Sequence, residues 1–256
     1  MLTGVNIGEF GKDTGESLPD LLKALDDVEG IERYRISSIE PNLLTEEIIE
    51  WVATESRAFM PHFHIPLQSG SDAVLKLMNR RYDTSLFASR IAAVRRMIPD
   101  AFIGVDVIVG ARGETPVEWE RSVEFIRSLP VTRLHVFPYS ERPGTAALMM
   151  DAPEVAPSER HSRAALLQKI SDAKLEGYFR SMTGQARHVL WEHLVTDHHV
   201  DKTPSAGQLM SGLTDNYLRV VAPARPELIN SVSLVHLTGV DPGRDETLTA
   251  VHIDHA

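Results

Sequence analysis

The sequence predicts an α/β protein: part of a parallel βα barrel, then a small antiparallel β-barrel. Three observations carry this. Through the first 150 residues, short apolar runs alternate with amphipathic stretches, at the spacing of roughly 30 residues that a βα unit takes. A long helical stretch, 157–183, intervenes. Beyond it the apolar runs shorten and crowd between Gly, Pro, Asn and Asp, the pattern of a small barrel.

The strand candidates of the first part are Leu2–Ile7, Tyr34–Ile39, His62–Leu67, Phe102–Val109 and Leu134–Tyr139. The helices between them carry start signals. Ser17 caps 18–28, where Leu18, Leu21, Leu22, Leu25 and Val28 share a face. Thr45 precedes two glutamates and an apolar run, Ser71 precedes Val74 and Leu75, and Thr84 precedes Phe87, Ile91 and Val94. Thr115-Pro116-Val117-Glu118 reads as a capping box with proline in the first turn. Alternation of this kind implies a parallel sheet with right-handed crossovers. Because the chain opens directly on a strand candidate, a barrel beginning at its second strand is expected.

The helix over 157–183 turns Leu166, Leu167, Ile170, Ala173 and Phe179 inward and ends at Gly184. After it, Ala186–Glu192, Gln208–Met210, Leu218–Ala222 and Val232–Leu237 are the strand candidates of the second barrel. The expected division is therefore 1–156, a linker helix over 157–183, and 184–256.

Composition limits the chemistry. The chain of 256 residues contains no cysteine, which excludes disulfides, thiolate nucleophiles and thiolate-held iron–sulfur clusters within it. Its net charge of −10 argues against a strongly basic nucleic-acid binder, since phosphate neutralisation supplies most non-specific affinity. No stretch approaches the roughly 20 apolar residues of a membrane helix, and the opening residues lack a signal peptide's basic and apolar regions. The expected location is the cytoplasm, without a membrane partner.

Polar and glycine-rich strings follow the strand candidates, where a parallel barrel gathers its functional loops. Four of them in order, Leu2–Gly11 (LTGVNIGEFG), Arg35–Leu43 (RISSIEPNL), His62–Tyr82 (HFHIPLQSGSDAVLKLMNRRY) and Tyr139–Thr145 (YSERPGT), resemble the methylthiotransferase branch of the radical S-adenosylmethionine enzymes. The likeness is closest to the subgroup that thiomethylates N6-threonylcarbamoyladenosine beside the tRNA anticodon. The tail, with Gly184-Gln185 and Met210–Pro223 (MSGLTDNYLRVVAP), looks like the TRAM-type barrel with which such enzymes hold tRNA. The resemblance implies a radical-SAM barrel, S-adenosylmethionine as cofactor, and two four-iron four-sulfur clusters in the parent enzyme. Neither the family's N-terminal cluster-bearing domain nor its CxxxCxxC motif is present, so the chain alone is expected to be inactive. Ala111-Arg112 stands where the family usually has Phe-Pro, which puts the adenine contact in question.

By resemblance, Gly4 and Asn6 lie near the methionine end of the cofactor. Gln68, Ser69 and Ser71 face its ribose, Ser38 is a further cofactor-binding residue, and Gly110 and Glu114 support its adenine. Arg80, Arg81, Tyr139 and Arg142 fall towards substrate or RNA; Asn216, Tyr217 and Arg219 fall on the RNA side of the tail. Several of these have bland readings. Ser71 serves equally as a helix cap, Glu114 suits any helix N-terminus, and Tyr217 fits a barrel core. Asp106, inside an apolar strand, is either a substrate-face residue or a hydrogen-bonding hub.

Two rival functions follow from the residues. From Gly184 onward, five basic residues face nine acidic ones, a balance of −4, so RNA holding by the tail is modest and a non-catalytic RNA- or protein-binding module is one rival. His62 and His64, two apart on a strand, face one side as zinc-binding histidines of hydrolase barrels do, which is the other. His135 is the further candidate inside a strand, and His198-His199 reads as a solvated loop pair. An incomplete barrel also exposes a strand edge, so self-association is expected.

Overall fold

The longest apolar run of the first part, Phe102–Val109, is the middle strand of a parallel sheet in the computed structural model, which describes residues 6–195 and 207–253. The sheet is β1 (His62–His64), β2 (Phe102–Val109) and β3 (Arg133–Pro138), in that order. His64 pairs with Gly104, Gly104 with Arg133, and Asp106 with His135. Side chains alternate across a strand, so Ile103, Val105, Val107 and Val109 enter the core while Phe102, Gly104, Asp106 and Ile108 share the other face. His62 and His64 of β1 and Arg133, His135 and Phe137 of β3 lie on that same non-core face.

Two strand expectations change. The run Tyr34–Ile39 makes only isolated parallel bridges, Tyr34 to Phe59 and Ser38 to His64. Its neighbour β1 is short because Pro61 and Pro66 bracket it, and proline brings no N–H to a ladder. Most of Leu2–Ile7 lies outside the described residues, and Ile7–Glu9 is a 3₁₀ turn.

The helices begin where side-chain caps satisfy their first N–H groups. Ser17 and Asp20 make a reciprocal capping box for α1 (Leu18–Asp26). Thr45 accepts from Ile48 N at the start of α2 (Glu46–Thr54), and Ser71 from Val74 N at the start of α3 (Asp72–Leu77). α4 (Thr84–Met97) is capped by Asp83, whose carboxylate accepts from Leu86 N at 2.7 Å, not by Thr84. At α5 (Pro116–Ser128), Thr115 accepts from Glu118 N at 3.3 Å. The carboxylate of Glu118 is engaged elsewhere, accepting from Ser71 Oγ at 2.5 Å and Arg121 Nη1 at 2.8 Å. α6 (Pro157–Met182) follows. Ile48 and Ile49 of α2, Phe87 and Ile91 of α4, Ile126 of α5 and Leu167 of α6 close one core over Phe63, Ile65, Ile103 and Leu134.

Asp26, at the end of α1, carries a buried carboxylate that accepts from Arg57 N (2.9 Å), Ala58 N (2.8 Å) and Ser56 Oγ (3.0 Å). Burial alone raises its pKa, but these donors and the Arg57 charge more than offset that and leave it below its ordinary value. A carboxyl with a depressed folded pKa contributes stability above its unfolded pKa, about 3.9, and that contribution fades as pH falls through the folded value. Asp26→Asn is therefore expected to cost about 1–3 kcal/mol at neutral pH and progressively less as pH falls through the folded value. Urea midpoints of both proteins across this range check it; a gap independent of pH refutes it.

The chain divides into two compact units, Met1–Leu175 and Glu176–Ala256. The division falls inside α6, where a break at its end, residue 183, is the sequence expectation. Within the second unit five strands close a barrel in the order β4-β5-β6-β8-β7. They are β4 (Ala186–Leu194), β5 (Leu209–Thr214), β6 (Arg219–Pro223), β7 (Val232–Val240) and β8 (Thr247–His252). All pairings are antiparallel except β6 with β8, which closes the barrel in parallel. β8 is a strand the sequence analysis missed. Leu248 and Ala250 alternate inward along it, a period-2 signal hidden by the acidic residues just before it.

Candidate active site

The loops at the carboxyl ends of β1 and β2 are built from the sheet outward. Leu67 N and Gln68 N both donate to the Asp106 carbonyl, at 3.1 and 2.9 Å, and Ile108 N donates to Gln68 O at 2.8 Å. Gln68 is thereby held at φ 69°, a left-handed conformation that a non-glycine residue keeps only when its surroundings impose it. Its side chain is half-buried at the rim of the non-core face. Tyr82, from the far end of the same motif, donates its hydroxyl to Pro66 O (3.0 Å) and Leu67 O (3.3 Å), holding the loop from beneath. Burial pushes the Tyr82 phenol up, so it stays protonated and donates.

The next residues serve the loop's own packing. Ser69 is fully buried and its hydroxyl accepts from Ser71 N at 3.2 Å. Gly70 N donates to Ser122 Oγ at 2.9 Å. A Cβ on Gly70 would stand 2.6 Å from Ser122 O, so only glycine lets α5 approach this closely. Ser71 caps α3 and donates to Glu118. Of the three residues expected at the ribose, only Gln68 keeps part of its surface open, and Ser38, also expected at the cofactor, is exposed and bridged to His64. Ser69 and Ser71 shape the loop that carries Gln68.

At the end of β2, Gly110 takes φ 76° and donates its N–H to Glu114 Oε2 at 2.6 Å. Glu114 is 1% exposed and pairs with Arg163 of α6 at 2.7 Å. Burial pushes its carboxyl up against the opposing pull of Arg163 and Gly110 N–H. A Cβ on Gly110 would lie 2.3 Å from Arg160 Cγ, so an arginine of α6 fills the space beside this glycine. Ala111 is buried, and Arg112 pairs with Glu141 at 2.8 Å.

The other expected contacts scatter. Arg80 pairs with Glu40 (3.4 Å) and Arg81 with Glu9 (3.2 Å), tying the end of the third motif to the second and first. Tyr139 lies under Arg160, 5.3 Å from ring centroid to guanidinium, and Arg142 is exposed. In the second unit Tyr217 is exposed at φ 68°, and Arg219 pairs with Glu192 at 3.1 Å. Asn216 requires correction: it is 0% exposed, hydrogen-bonded to Tyr178 Oη at 2.8 Å and Thr214 Oγ1 at 2.6 Å, and shows no face to RNA. Gly4 and His198-His199 lie outside the described residues, and Asn6 is half-buried before the 3₁₀ turn.

One cluster was read only in parts from the sequence. His64 Nε2 lies 2.8 Å from Asp106 Oδ1, and the His64 and His135 rings stack at 5.2 Å. His62, on the same face, is buried and stacked on Phe102 at 5.3 Å. Burial above all, with the charges of Arg35, His64 and His135, brings its pKa down to about 4, so it is neutral at pH 7. The histidine whose ligand atom is grouped with those of His64 and Asp106 is His135, not His62.

A cluster of iron and sulfide does not fit this donor set, which contains no thiolate. Among the described residues no helix is long and apolar enough to cross a membrane.

Residues 8–126 match the Radical SAM superfamily. The threonylcarbamoyladenosine tRNA methylthiotransferase MtaB of Bacillus subtilis (strain 168) is 35% identical over 239 residues, 93% of this chain and 51% of that protein. Its namesake from Thermotoga maritima is 38% identical over 195 residues, 76% of this chain and 44% of that protein. The tRNA-2-methylthio-N(6)-dimethylallyladenosine synthase of Streptomyces viridosporus is 40% identical over 172 residues, 66% of this chain and 34% of that protein. Among solved structures, coproporphyrinogen III oxidase (HemN) of Escherichia coli matches at a TM-score of 0.48 and 18% identity, over 61% of this chain and 36% of that one, too slight a likeness to argue from. The chain spans about half the length of the first two relatives. Residues 8–126 are thus similar to the Radical SAM superfamily, and most of the chain is similar to part of the tRNA methylthiotransferases.

Proposed function

We propose that this chain supplies the S-adenosylmethionine- and tRNA-facing part of a cytoplasmic enzyme that adds a methylthio group to carbon 2 of N6-threonylcarbamoyladenosine in the tRNA anticodon loop. The carrying observation is 35% identity along 93% of the chain to a protein named for that activity. Asn6, Ser38 and Gln68 would meet the cofactor directly, with Gly4 beside them. Ser69, Ser71, Gly110 and Glu114 would act through the loops they hold. Arg80, Arg81, Tyr139 and Arg142 would face the RNA, assisted by Tyr217 and Arg219 of a TRAM-like barrel. The thiolates for both clusters would come from sequence outside these 256 residues.

Substrate choice between the two modified adenosines is testable in cells. Disrupting the gene for this chain is expected to remove the methylthio group from threonylcarbamoyladenosine, read by mass spectrometry of tRNA nucleosides. Loss from dimethylallyladenosine instead would move the protein to the other branch, and no change in either would end this reading. The chain by itself is expected to turn nothing over. After anaerobic treatment with iron and sulfide it should retain no acid-labile sulfide and release no 5′-deoxyadenosine from S-adenosylmethionine; either product would overturn the cysteine argument.

A further inference from the structure

We propose that His64, Asp106 and His135 form a binding site for one first-row divalent transition-metal ion on the non-core face of the parallel sheet. The three residues come one from each strand, and their ligand atoms all lie within 4.8 Å of one another. Two imidazoles and a carboxylate are the donor set such ions favour. This proposal is independent of the methylthiotransferase reading and uses none of the residues assigned there to cofactor or RNA.

Register explains why they meet. Asp106 and His135 are direct partners across β2 and β3, and His64 is level with Gly104, two residues earlier on β2. The rings from β1 and β3 lie beside Gly104, with room for no more than a methyl group between them and the strand. A Cβ there would lie 3.4 Å from His135 Nε2 and 3.6 Å from His64 Nδ1. The arrangement is held by the 2.8 Å His64–Asp106 contact and the ring stack.

The site is also accessible and rigidly mounted. The His64 and Asp106 side chains are 26% and 24% exposed, so ion and water can enter, while the backbones beneath are paired strands. Bond lengths of about 2.0–2.2 Å to nitrogen and oxygen require the three ligand atoms to move towards a common centre by side-chain rotation alone. Three protein ligands leave positions for water or a ligand oxygen, the open form of a zinc or iron site.

The test uses the whole chain, stripped by chelator and titrated with Co²⁺, whose d–d absorption reports ordered coordination. One equivalent is expected to bind, with Zn²⁺ displacing it. His64→Ala, Asp106→Asn and His135→Ala should each lose the band and weaken Zn²⁺ binding by about tenfold or more. His188→Ala and His193→Ala, in the second unit, should leave both unchanged. In case a ligand variant fails to fold, Co²⁺ broadening of the His64 and His135 ring signals in the unaltered protein reads the same site by NMR. Absence of a saturable band, a band that survives in all three ligand variants, or broadening confined to other histidines among the eleven in the chain would overturn the proposal.

Discussion

Glu114→Ala is expected to lower the stability of the protein by about 3–5 kcal/mol, the cost of breaking a buried ion pair from one side. The carboxylate is 1% exposed, and it faces Arg163, whose side chain is 4% exposed. Arg163 Nη1 donates both to Glu114 Oε2 (2.7 Å) and to the Glu114 carbonyl (2.9 Å). Removing the side chain leaves a buried guanidinium paired with Glu159, a half-exposed carboxylate at 3.0 Å. It also strips Gly110 N–H of its acceptor in a loop where φ is already 76°. Glu114→Gln keeps an oxygen for Gly110 and Arg163, and since burial already pushes the carboxyl up, the neutral side chain should lose clearly less. Denaturant midpoints of the three proteins decide this. Equal losses in both variants would mean that charge alone matters; no loss in the alanine variant would mean that Arg163 finds water.

These residues also show how far the sequence could be read. β2 matches its expected span residue for residue, and Ser17, Thr45, Ser71 and Thr115 all cap the helices assigned to them. Such features are local, decided by neighbours three or four residues away. What the sequence concealed depends on pairing over long distances. Glu118 leaves its capping box for Ser71, 47 residues earlier, and Asp106 joins two histidines from different strands. The first depends on how two helices pack and the second on the register of the sheet, neither of which local sequence pattern specifies. Asn216 illustrates a different limit. In a polar turn beside Tyr217 it looks exposed, yet Tyr178 from the last turns of α6 makes it a buried partner. Gly110 and Glu114 were legible as special positions; whether for a ligand or for Arg160 and Arg163 was not, because α6 lies some 50 residues further along the chain.

Trp191→Ala is expected to cost about 3–5 kcal/mol as well, with its effect confined to the barrel. Trp191 is 0% exposed on β4 and donates its indole N–H to Ser233 Oγ of β7 at 2.8 Å. Its ring also meets His252 of β8 at 5.2 Å, so one side chain of β4 reaches two other strands of the barrel. The backbone is as engaged as the ring: Trp191 N donates to Ser231 O, and Asn230 N donates to Trp191 O, just before a register shift between Trp191 and His193. A barrel this small buries a limited apolar core, and the loss of its largest member is a large fraction of its stability. A chain of two units need not unfold in one step, so hydrogen exchange resolved by strand is the suitable measurement. Protection should fall across β4 to β8 and persist in β2. Trp191→Phe, which keeps most of the volume but leaves the Ser233 hydroxyl without the indole, should fall between the two. Unchanged protection throughout the barrel would show that Trp191 is not its keystone, and an equal loss in β2 would show that the two units unfold together.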